Sequence, residues 1–278
     1  MDLNSPDLIE DMQPPPAVLY HYTNPKSFFD IVTSGPCLHA THHRFLNDVD
    51  EMRFGFKIAL DVLEQLPGLD PEAKRLTVEK IKALLADDSY IACLSEKPNV
   101  LSQWRAYANN GAGYCVGIAA ERRLDGYGDD EDFWSTRLLK CLYDRGTLEN
   151  MLEERFARAI SWHLSDSGKK YEDQDELLAN DLSGIAWRYA HVSKHEHFLE
   201  EAEWRFVVGA PSRDVQYRIG AMGLTPYLPT DKLKISEVWI GPGVGPSPEV
   251  AKRTVTGFLE RHGIIDAKVD CWESPYRR

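Results

Sequence analysis

No run of the 278 residues reaches the ~18 to 20 apolar positions that a membrane-spanning helix needs, which excludes such a span. Basic charge is scarce as well. The 32 Lys and Arg stand against 44 Asp and Glu, a formal net charge of -12, so overall charge cannot coat a nucleic-acid duplex. Any such contact would need a local basic patch, and the pairs Arg122-Arg123 and Arg277-Arg278 are too sparse to make one. Close cysteine pairs are missing too. Cys37, Cys93, Cys115, Cys141 and Cys271 are odd in number, widely spread and without CxxC, which fits reduced thiols rather than a disulfide framework or a zinc knuckle. The acidic opening MDLNSPDLIEDMQPPP lacks a basic start and an apolar stretch, so no secretory signal is expected and the cytoplasm is the expected compartment. Repeats and low-complexity segments are absent. What remains, 43% hydrophobic and 27% charged residues, is ordinary globular composition.

Residues 1–16 read as a solvated tail closed by Pro14, Pro15 and Pro16, and 17–278 as one domain. Strand-like segments are expected at Ala17 to Tyr22, Cys37 to Ala40, Tyr90 to Leu94, Tyr114 to Ala119, Glu203 to Val208, Ile235 to Ile240 and Ala267 to Trp272. Helices are expected after Pro25, from the Asp48-x-x-Glu51 capping pattern, from Asp70-Pro71 and from Pro248 to His262. A helical insertion covers about 147–195. Strands and helices mix without regular βα alternation, so the fold class is α+β: a mixed, largely antiparallel sheet with helical insertions and a C-terminal strand–helix–strand unit.

Several motifs have both a chemical and a structural reading. GPGVGPSP (Gly241 to Pro248) sits where a phosphate loop would, but three prolines remove donors and no lysine follows; Ser247-Pro248 suits a helix cap and first turn. His39, His42 and His43, and His191, His195 and His197, form two clusters, yet His195-Glu196 lacks the second histidine of H-E-x-x-H, and no metal is expected. Asn47-Asp48-x-x-Glu51 is a carboxylate cluster or a helix start, with Asn47 just outside the helix and able to face a cleft. In Glu201-Ala202-Glu203-Trp204-Arg205, a strand would carry Glu201, Glu203 and Arg205 on one face, either solvated or lining a pocket. His21, within Tyr20-His21-Tyr22, is a core histidine or a ligand-binding one.

The ordered pieces LYHYTNPKSFFDIVTSGPCLHAT, FLNDVDE, CLSEKPNVLSQWRAYANNGAGYCVGI, KHEHFLEEAEWRFVV and ISEVWIGPG resemble the bacterial family catalogued as domain of unknown function 2971, from about Leu19 to the end. More remotely, the chain is similar to ADP-ribosyltransferase folds. That resemblance implies NAD as substrate, with His21 binding a ribose hydroxyl and Tyr22 and Thr23 helping to hold the nucleotide. It places Ser95 or Tyr107 in the middle motif and has Trp104 or Tyr107 stack on the nicotinamide. It also implies Glu203 on the ribose 2′-hydroxyl, Glu201 as the other carboxylate of the E-x-E pair, and Arg205 holding these carboxylates ionised. The implied role is an NAD-dependent ADP-ribosyltransferase or NAD glycohydrolase, a toxin or a phage-defence effector, acting on an acceptor the sequence does not identify. Two other classes stay open: a non-catalytic sensing or interaction module, and a metal-dependent nuclease or hydrolase built on Asn47, Asp48, Glu51, Glu201 and Glu203.

Overall fold

The computed structural model describes residues 14–46, 51–86, 88–120, 137–165, 173–209, 215–220, 222–230 and 232–273. Asn47, Asp48, Arg122-Arg123, Arg277-Arg278 and most of the acidic tail lie outside them. The fold is α+β, and the chain divides into two compact units.

The first unit gathers 1–42, 90–140 and 200–278. Its strands are β1 (Val18–Thr23), β2 (His39–His42), β3 (Ser89–Ser95), β4 (Tyr114–Ala119), β5 (Arg137–Lys140), β6 (Glu203–Gly209), β7 (Gln216–Gly220), β8 (Gly223–Pro229), β9 (Ile235–Ile240) and β10 (Lys268–Cys271). They join in the order β10-β9-β4-β1-β3-β2-β8-β7, while β6 pairs with both β3 and β5. The described pairings are antiparallel except β9 with β10. That parallel pair requires a crossover, which helix α7 (Pro248–Arg261) supplies. Ser247 caps α7 by accepting from the Val250 N–H at 3.3 Å. In the preceding glycine turn, the N–H groups of Gly241 and Gly243 bond to the carbonyls of Gly113 and Gly111. The segment that resembled a phosphate loop is thus tied down as a turn.

Helix α1 (Pro25–Thr33) starts on an Asn24 cap and lays Phe28, Ile31 and Val32 on the sheet, beside Ala251, Val255 and Leu259 of α7. Leu19, Ala40, Ala92, Leu94, Val116, Ile118, Trp204 and Leu228 join this core from the strands, and Leu38 from just before β2. A short helix, α4 (Leu101–Ala106), packs Trp104 with Tyr22, Ala108 and Cys115 in a second cluster.

The second unit gathers His43–Ser89 and Cys141–Leu199 and is helical: α2 (Glu51–Gln65), α3 (Pro71–Leu84), α5 (Arg145–Leu164) and α6 (Gln174–Val192). The helices read as an insertion at 147–195 are therefore half of a unit that also takes in α2 and α3. Caps follow the sequence pattern: Asp70 accepts from the Glu72 N–H at 2.8 Å and Asp144 from the Thr147 N–H at 2.7 Å. At Gly55 of α2 an added Cβ would lie 2.5 Å from the Ala190 Cα of α6, so only glycine allows this approach.

Candidate active site

The E-x-E segment does not run as one strand. Glu201 ends a 3-10 turn (Glu196–Glu201), β6 begins at Glu203, and Ala202 between them takes a left-handed φ of 43°. Strand alternation is broken there, so the expectation that Glu201 and Glu203 share a strand face is corrected. The two carboxylates have different surroundings. Glu203 is 3% exposed and Arg205 0%. The Arg205 Nε and Nη2 donate to the two Glu203 oxygens at 3.0 and 3.1 Å, a bidentate pair inside the protein. Glu201 is half-buried. The Tyr107 hydroxyl donates to its Oε1 at 3.4 Å, and the Ser95 hydroxyl donates to its backbone carbonyl at 2.7 Å. Ser95, Tyr107 and Glu201 thus meet at the end of β3, where Glu96 N–H also bonds the Ala202 carbonyl.

His21 does not join Glu203. Alternation along β1 sends Leu19 and His21 toward the core that holds Phe28 and Leu94, and Tyr20 and Tyr22 to the opposite face. Along β6 the same core receives Trp204, Phe206 and Val208, which turns Glu203 and Arg205 away from it. His21 and Glu203, both implied by the resemblance to hold NAD, are therefore not brought to one face: β1 and β6 both pair with β3, but these two side chains leave the sheet on opposite faces. The His21 Nδ1 lies 2.9 Å from the Cys93 carbonyl. Burial pushes its imidazole below the usual range, and the Arg218 charge adds to the effect.

Trp104 does not offer the open face that stacking on a nicotinamide requires. Trp104 is 0% exposed, its ring stacked on Trp272 at 4.8 Å and meeting Tyr22 edge-on at 5.4 Å, and its indole N–H donates to the Pro98 carbonyl. No ring face is left for a nicotinamide. The Tyr22 hydroxyl donates to the Lys97 carbonyl at 2.6 Å and accepts from the Val100 N–H, so it braces α4, and burial holds the phenol protonated. Thr23 is buried at the end of β1. Of the aromatics read as stacking candidates, half-buried Tyr107 alone keeps access to Glu201.

Asn47 lies outside the described residues. Among the described residues no three His, Cys, Asp or Glu side chains gather where they could hold a metal ion. His39 stacks on Tyr227 at 4.1 Å and His42 meets Tyr90 edge-on, while His195 and His197 pack on each other. His39, read only as part of a histidine cluster, sits beside Arg218, a residue no sequence pattern singles out because β7 and β8 carry two prolines and two glycines and do not read as strands.

The family model described as "Protein of unknown function (DUF2971)" matches residues 103–206. The DUF2971 match is narrower than the resemblance read from Leu19 onward, but it includes Trp104, Tyr107, Glu201, Glu203 and Arg205. No curated protein and no solved structure matches the chain, so the likeness to ADP-ribosyltransferases finds no counterpart there. No helix among the described residues is long and apolar enough to cross a membrane.

Proposed function

We propose that the chain binds NAD and breaks its nicotinamide–ribose bond, passing ADP-ribose to an acceptor or to water, with Glu201 as the carboxylate that serves the reaction. The observation that carries this reading is the placement of Glu201: its half-buried carboxylate accepts from the Tyr107 phenol and its backbone carbonyl from the Ser95 hydroxyl, on the segment that resembles the E-x-E motif. Bond cleavage develops an oxocarbenium-like cation on the ribose, and a fixed carboxylate stabilises that charge as it forms. Glu201 keeps partial access to solvent, whereas the Glu203 charge is already matched by Arg205. Glu203 takes the supporting role of anchoring the start of β6, immediately after the Glu201 backbone.

In the test, purified protein is incubated with NAD and released nicotinamide is measured. Glu201→Gln is expected to lower the rate by about 10²- to 10³-fold, the typical loss when one electrostatic partner of a transition state is removed. Equal rates for the variant and the parent would defeat the assignment. A binding module without catalysis is the second reading, favoured by the full neutralisation of Glu203. It would show NAD-induced thermal stabilisation with no nicotinamide released.

A further inference from the structure

We propose that Arg218, with His39, Thr41 and Tyr227, forms a binding site for the phosphoryl group of a small anionic ligand. This site does not rest on the Glu201 reading. Pairing Thr41 with Tyr227 between β2 and β8, and Tyr227 with Gln216 and Thr225 with Arg218 between β8 and β7, turns these side chains and His39 to one face of the sheet. The Arg218 Nη2 donates to the Thr41 hydroxyl at 2.6 Å, and its guanidinium lies 5.7 Å from the Tyr227 ring centre. The Tyr227 hydroxyl in turn donates to the Gln216 side-chain oxygen at 2.9 Å, which fixes the ring.

These contacts hold the guanidinium in place without neutralising it. Among the described residues no carboxylate is within ion-pair distance of Arg218; the Asp30 charge reaches it from farther off and is itself paired with Lys26. Its Nε is buried without a partner among the described residues. An acidic chain supplies many carboxylates, so an unpaired, half-buried arginine is an exception that calls for an external anion. A second observation points the same way. His39, stacked on Tyr227, has no hydrogen-bond partner on either ring nitrogen among the described residues. Burial and the Arg218 charge keep it neutral, so one ring N–H is a donor. The guanidinium fork and this imidazole offer more donors than the two oxygens of a carboxylate can use, and suit the several oxygens of a phosphoryl group.

The test is calorimetric titration of the full chain, near pH 7.5 and low salt, with inorganic pyrophosphate and, separately, ADP-ribose. Saturable pyrophosphate binding is expected, weakened at least 10-fold in Arg218→Gln and several-fold in His39→Gln. Tighter binding of ADP-ribose than of pyrophosphate would assign the site to a nucleotide; equal binding would assign it to the phosphoryl group alone. Either result supports the site, provided the Arg218 variant loses it. Absence of saturable binding, or equal affinity in a folded Arg218→Gln, would overturn the proposal. Should that variant fail to fold, unchanged affinity in His39→Gln would do so instead. Glu201→Gln is expected to bind pyrophosphate as the parent does, so the site and the catalytic reading fail separately.

Discussion

Glu203 and Arg205 show how a charged motif that looks catalytic in a sequence can serve the fold. Each carboxylate oxygen accepts from the guanidinium, and both side chains are closed off from water. Removing one charge from such a pair strands the other in a low-dielectric site. Glu203→Gln should therefore cost about 3 to 5 kcal/mol of stability, whereas the double change Glu203→Leu, Arg205→Met should cost less, because neither member of the pair is left without the other. Urea unfolding of the parent, Glu203→Gln and the double variant checks this, and a double variant no more stable than Glu203→Gln would refute it. His39 gives a pH prediction at the same scale. Burial first, then the charges of Arg218, His21 and Lys26, outweigh Asp30 and lower its pKa from 6.5 to about 4. The folded state holds His39 neutral, while the unfolded chain takes up a proton below about 6.5. The stability it contributes is present above that pH and is lost as pH falls toward about 4. The melting temperature should decline across this window, with a shallower slope in His39→Gln; identical slopes would show that His39 does not contribute.

Elements defined by caps and amphipathic faces are legible in the chain. Asn24, Asp70 and Ser247 each stand at a helix start and each accepts from a first-turn N–H, and α5 and α6 lie within two residues of where their periodicity puts them. Elements whose identity depends on a partner are not legible. Strand β5 is four residues long and makes sense only through its pairing with β6. The β7–β8 hairpin hides its period behind Pro226, Pro229 and Gly223, so Arg218 passes unnoticed although it faces Thr41. The break at Ala202 is of the same kind: EEAEWRFVV alternates on paper, and a left-handed residue ends the alternation. Close helix packing is a tertiary fact as well. Gly55→Ala would press a methyl against the α6 backbone, and overpacking of this sort should lower stability by about 1 to 3 kcal/mol. A thermal melt of this variant at or above the parent's midpoint would contradict the close α2–α6 approach.

At the scale of the whole molecule, the α+β class and the C-terminal β9–α7–β10 unit follow from the order of strand and helix patterns. The gathering of 43–89 with 141–199 into a helical unit does not, since neither segment carries a signal naming the other. The same holds for function. His21 and Glu203 lie on strands that both pair with β3, yet strand parity separates these two side chains and a backbone break separates Glu201 from Glu203. Parity and a single φ angle decide which carboxylate keeps access to solvent. The most direct measurement sets Glu201→Gln beside Glu203→Gln, each scored for nicotinamide release from NAD and for melting temperature. The account predicts that Glu201→Gln loses turnover and keeps the parent's melting temperature, while Glu203→Gln melts markedly lower. It is contradicted if the parent releases no nicotinamide, or if Glu203→Gln abolishes release at an unchanged melting temperature while Glu201→Gln turns over normally.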